Sequence, residues 1–92
     1  MVYNRGNMRH FDEWDYVYGC TGWNYNNTLQ YFLVSENETD ANYLTKFHNT
    51  SGPITVSSDW KRLNEMPIYK DYLSTAQSAG YNIIDPNGTT VN

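Results

Sequence analysis

Residues 1–32 read MVYNRGNMRHFDEWDYVYGCTGWNYNNTLQYF, and their reading decides most of the fold. Asn7 offers a side-chain acceptor suited to a helix N-cap, and behind it Phe11, Trp14, Val17 and Tyr18 recur at near-helical spacing. Asp12 and Glu13 come early, where the helix dipole favours acids, and Gly19 suits a left-handed stop. A tight link, CTGW at residues 20–23, leads to Asn24. This residue caps a second helix in which Tyr25, Leu29, Phe32 and Leu33 share one face, running to about Glu36. The stretch opens on apolar residues and an Arg-Gly turn. It shows neither the basic and apolar leader of a secreted chain nor the polar tail common at a free terminus. The expectation is that Met1 is an internal position of a larger protein.

Beyond this stretch the chain reads as a string of short elements. ENETDANYLTKFHNTSG, residues 36–52, reads as a polar loop. GPITVSS, residues 52–58, reads as a short strand with Ile54 and Val56 on one side and Thr55 and Ser57 on the other. Pro67 is acceptable in a helix only in its first turn, and Ile68, Tyr72, Leu73, Ala76 and Ala79 continue a stripe as far as Gly80. YNIIDPNG, residues 81–88, closes as an extended segment and a turn. The sum is an α+β piece of three short helices and one or two short strands. Thin apolar stripes and a strand without a partner leave faces and backbone groups uncovered. The expectation is that the piece is not autonomous and that other parts of a larger protein cover it.

Composition narrows the function. Six Lys and Arg against ten Asp and Glu give a net charge of −4, without the basic cluster that would neutralise phosphates, so nucleic acid is not an expected partner. No apolar run of about 18 residues exists to span a membrane. Cys20 is the single cysteine, so no internal disulfide or cysteine zinc site can form, and it reads as a small half-buried residue. Sequons at Asn26, Asn37, Asn49 and Asn87 lean towards a secreted protein, with the loop positions Asn37 and Asn49 expected to be occupied before Asn26 in its helix.

Side chains that carry chemistry are few. His10 sits beside Asp12 and Glu13 on the first helix, and His48 lies in the polar stretch before Gly52; nothing in their spacing brings metal ligands together, and both read as solvated or capping. The carboxylates are scattered over helix faces, where solvation is the default. The six glycines form no G-x-G-x-x-G and no P-loop. Trp14, Trp23 and Trp60 could form a sugar-stacking platform, yet Trp14 keeps helical phase with Phe11 and Val17, which reads as core packing. No catalytic residue and no metal ligand is expected in this chain.

The order of residues carries more. The string M-V-Y-N-R-G-N, then R-H-F-D-E-W, then G-W-N-Y-N-N-T-L-Q-Y-F and S-E resembles the segment of glucose-methanol-choline (GMC) oxidoreductases that reads M-x-Y-x-R-G-N, D-[YF]-D-x-W, G-W-x-[YW]-x-x-[VL]-L-P-Y-F and [SA]-E. FHNTSGPITV resembles the family's H-G-x-x-G-P-[LI]-x-V, and GYNIIDPNG its G-[YF]-x-x-x-D-x-N-G. The likeness covers nearly the whole chain and is nearest in tone to the insect glucose dehydrogenase-like branch. It departs at His10 for Asp, Cys20-Thr21 for Asn-Pro, Gln30 for Pro and Asn49 for Gly, changes expected to weaken caps and turns.

The resemblance implies a partial N-terminal region of such an enzyme, residues 1–92. It would follow the glycine-rich FAD-binding unit, which is missing here together with the family's catalytic pair near the C-terminus. It also implies that Met1 and Val2 end a tract lining the FAD, an ordinary buried apolar role being the alternative. The activity implied is FAD-dependent oxidation of a CH–OH donor, a sugar or an alcohol, with this chain as support and inactive by itself. The competing reading is a stand-alone secreted glycoprotein module that binds carbohydrate or protein through exposed Tyr and Trp.

Overall fold

A computed structural model of the chain describes residues 3–43, 45–58 and 65–88. Helix α1 spans Met8–Tyr16, and the Asn7 side chain caps it by accepting from the Arg9 backbone N–H at 2.9 Å. It stops sooner than the apolar spacing suggests. Val17 and Tyr18 lie just past its end, 69% and 71% exposed, so they do not continue the buried face. Gly19 does take the left-handed conformation, with φ of 74°, and Cys20 beyond it is exposed rather than half-buried.

The acids of α1 serve the next helix instead of their own first turn. Asp12 Oδ1 accepts from the Tyr25 N–H at 3.0 Å, and Asp15 Oδ2 accepts from the backbone of Gly22 and Asn24 and from the Asn24 side chain. Carboxylates thus satisfy donors at the positive end of α2, which spans Tyr25–Ser35 and is capped by the Asn24 side chain on Asn27 N–H. Gln30, in place of proline, leaves the helix continuous. Phe11 is buried between the two helices, its ring edge-on to Trp14 at 5.2 Å and Phe32 at 5.8 Å, with Tyr25 at 6.3 Å.

From Ser35 the chain passes straight into strand β1, Glu36–Glu38, where a polar loop was expected. Its partner is β2, Ile54–Val56, paired in parallel with Glu36 opposite Ile54 and Glu38 opposite Val56. The expected lone strand therefore has a neighbour. A parallel pair needs a crossover, and residues 39–53 supply it, with a 3₁₀ turn at Ala41–Tyr43 and an antiparallel bridge from Thr50 back to Asn37. Gly52 makes the return possible: its N–H donates to Glu36 O at 2.8 Å, and a Cβ there would stand 2.3 Å from the Ser35 backbone.

Helix α3 spans Pro67–Ser78 with proline in its first turn. It ends in a Schellman motif, Tyr81 N–H donating to Ala76 O and Gly80 N–H to Gln77 O, with Gly80 at φ of 90°. Its apolar stripe is open, Ile68 being 74% and Tyr72 72% exposed, and none of its residues is buried. Among the described residues the buried set is more polar than apolar. Phe11 and Tyr25 are joined there by Arg5, Thr28, Glu36, Glu38 and Asn87.

Candidate functional site

A buried charge such as Glu36 is costly unless partners surround it. The β1 backbone alternates sides, so Glu36 and Glu38 point to the same face, and there Glu36 is fully enclosed. Arg5, from the segment before α1, brings a guanidinium nitrogen to 2.6 Å from Glu36 Oε2, while a second nitrogen donates to Phe47 O at 2.6 Å. The same guanidinium lies 5.5 Å from the centre of the Phe32 ring. Asn49 adds its backbone N–H to Glu36 Oε2 at 3.2 Å.

His48 occupies the other side of Glu36. Its Nδ1 is 3.1 Å from Oε1 and its Nε2 is 2.7 Å from Asp85 Oδ2, with the ring 2% exposed. The ring thus bridges the two carboxylates of Glu36 and Asp85, each nitrogen within hydrogen-bond distance of one of them. Asp85 in turn orders the closing turn, its Oδ1 accepting from Asn87 N–H at 2.9 Å. Asn87 reaches back to the start of the chain: its Oδ1 accepts from Arg5 N–H at 2.9 Å, and its Nδ2 donates to Tyr3 O at 3.4 Å. Among the described residues, Tyr3 Oη and Arg5 Nε are buried without a hydrogen-bond partner.

His48 is therefore not a solvated or capping histidine, and the spacing that suggested nothing converges on something. Donor atoms of Glu36, Glu38 and His48 lie within 4.8 Å of one another. The guanidinium already takes the cation's place, because Glu36 Oε2 is engaged by Arg5 and Asn49 and Oε1 faces His48. With its ring sealed from solvent, His48 cannot meet a substrate. The cluster is a structural clamp. His10 remains exposed on the first turn of α1.

Two titrations follow from local contacts. Burial pushes the Tyr25 phenol up; the Arg5 cation opposes this and the Asp85 carboxylate adds to it. Asp40, whose carboxylate accepts from the Ser58 hydroxyl and the Asn42 N–H, is held below the usual range.

Of the residues singled out from the sequence, Met1, Val2 and Trp60 lie outside the described residues. Trp14 and Trp23 do meet, ring centres 6.2 Å apart and edge-on, but Trp14 is 44% exposed and is not a core residue. Beside them an open apolar groove of ≈ 310 Å³ is lined by Phe11, Trp23, Thr28, Tyr31, Phe32 and Ser35. Asn49, standing where glycine was expected, is not in a left-handed conformation, so the exchange strains nothing. It adds a bond from its side chain to Leu33 O at 2.8 Å. Sequence reading missed Arg5, Glu36, Asp85 and Asn87 as a group. The available signal was that each sits within a block of the family-like pattern, Asp85 and Asn87 sharing one.

The comparisons agree with that pattern. The GMC oxidoreductase family description matches residues 1–90. An oxygen-dependent choline dehydrogenase of Vibrio vulnificus is 33% identical over 81 residues, covering 88% of this chain and 14% of the relative. The glucose dehydrogenase [FAD, quinone] of Drosophila melanogaster is 32% identical over 89 residues, 96% of this chain and 14% of the relative. The ecdysone oxidase of Bombyx mori is 32% identical over 90 residues, 91% of this chain and 13% of the relative. No solved structure matches significantly. The chain thus spans about 14% of the length of the curated relatives it matches, and it belongs to the GMC oxidoreductase family.

Proposed function

We propose that this member of the GMC oxidoreductase family is the scaffold portion of a FAD-dependent enzyme that oxidises the CH–OH group of a sugar or another alcohol. Relatives named for choline, glucose and ecdysone support the CH–OH class, and the insect names among them support an insect glucose dehydrogenase-like enzyme. The observation that carries the reading is the clamp. Arg5, Glu36, His48 and Asp85-Asn87 come from four separate blocks of the family-like pattern, and they meet in one buried cluster. The likeness is therefore to one folded unit rather than to scattered residues.

In this reading the clamp fixes the backbone of residues 3–5, and Met1 and Val2, which precede it in sequence, are proposed to line the flavin. The described residues do not themselves fit FAD. The Arg5 backbone N–H and both terminal guanidinium nitrogens are spent inside the clamp, and the glycines form no cradle for a pyrophosphate. The chain's contribution is support, given through the clamp and through apolar faces that the remainder of the enzyme covers. The protein is further proposed to be secreted, on the strength of its four sequons.

The test is the complete enzyme carrying this segment. It should purify with a flavin spectrum and reduce an electron-accepting dye when given a panel of sugars, choline and steroid alcohols. A complete enzyme that holds no flavin and reduces no dye with any of them overturns the proposal.

A further inference from the structure

The four sequons are alike in sequence and unlike in the fold. Asn87 is 8% exposed and both ends of its amide are engaged, with Arg5 N–H and Tyr3 O. An N-glycan replaces one of the two hydrogens on Nδ2, and at this buried side chain the sugar has no room unless the chain start moves away from the clamp. Asn49 donates Nδ2 to Leu33 O at 2.8 Å and to Ser51 Oγ at 3.1 Å, and is half-buried. Asn37 stands mid-strand, half-buried, between Thr55 on one side and the Thr50 bridge on the other. Asn26 differs from all three. It is exposed in the first turn of α2, and its side chain makes no hydrogen bond to another described residue.

We infer that Asn26 is the N-glycan acceptor of this chain and that Asn49 and Asn87 remain bare. The inference deepens the proposal that the enzyme is secreted and reverses the order expected from sequence, in which loop positions came first. The reason is physical. A bulky hydrophilic sugar is tolerated where the side chain already points into water, and it is excluded where Nδ2 closes a buried or half-buried bond.

The complete enzyme, expressed behind a secretory leader in insect cells, provides the test. Glycosidase release in heavy-oxygen water followed by peptide mapping should convert Asn26 to labelled Asp and leave Asn49 and Asn87 unlabelled. N26Q should remove one glycan from the gel mobility, and N87Q should remove none. An unlabelled Asn26, or a label on Asn49 or Asn87 in the secreted protein, overturns the inference. Because the leader supplies the route and the mapping needs neither flavin nor turnover, a bare Asn26 in a flavin-loaded enzyme sinks this inference alone.

Discussion

His48 Nε2 lies 2.7 Å from Asp85 Oδ2, joining points 37 residues apart, while the opposite ring nitrogen meets Glu36. Removing the ring leaves two carboxylates facing a cavity, one of them fully enclosed. H48A is expected to cost about 3 kcal/mol in the complete enzyme, because a buried carboxylate loses a hydrogen-bond partner and a cavity is left in place of the ring. R5K should lose most of what R5M loses, because an ammonium cannot serve Glu36 and Phe47 O together. In R5M combined with E36L part of the loss should return. Denaturant midpoints of the four variants check this; a loss below about 1 kcal/mol in H48A would contradict it.

Two glycines separate conformational strain from steric exclusion. Gly80 is at φ of 90° with open space around a would-be Cβ, so G80A should cost about 1 kcal/mol. At Gly52 the same methyl meets the Ser35 and Glu36 backbone at 2.3 and 2.4 Å. G52A should part β1 from β2 and cost at least about 3 kcal/mol. Thermal melts of the two variants in the complete enzyme should rank Gly52 as the more damaging, and the reverse order would refute the steric account.

The raised Tyr25 pKa predicts an alkaline limb. A phenol that keeps its proton more tightly when folded contributes stability that is complete below its unfolded value of about 10. That stability is lost as pH rises through the folded value. Y25F should therefore flatten the decline of stability above about pH 10. Asp40 has the opposite sign: its depressed value contributes above the ordinary carboxylate range and is lost as pH falls through the folded value. S58A should move that acid limb to higher pH. Unchanged limbs in both variants, followed by denaturation across pH, would remove these assignments.

As an isolated polypeptide the 92 residues should be colourless, inactive and loosely packed. Phe11 and Tyr25 are the buried apolar residues among those described, and Ile68, Tyr72, Val34 and Tyr31 stay open to water. So little apolar burial does not offset the entropy of ordering the chain. Partial helicity, a broad melt and binding of an apolar dye are expected. A sharp two-state melt with dispersed amide resonances would instead establish an autonomous domain.

The sequence by itself determined the helices, because their signals are local. Asn7, Asn24, Pro67 and Gly80 act on backbone groups within a few residues, and each does so here. It also carried the family pattern, whose blocks are contiguous strings. What only the tertiary structure decided is where the polar residues go. Glu36, Glu38 and His48 read as a wet loop because burial of charge depends on partners, and those partners, Arg5 and Asp85, are 31 residues before Glu36 and 37 after His48. Once a guanidinium and an imidazole meet the carboxylates, the hydrophobicity signal inverts and two glutamates of a polar stretch, Glu36 and Glu38, are among the best enclosed residues. The apolar stripe of α3 shows the converse: its periodicity forms the helix, but a stripe is buried only by a surface that covers it, and no residue of α3 is buried.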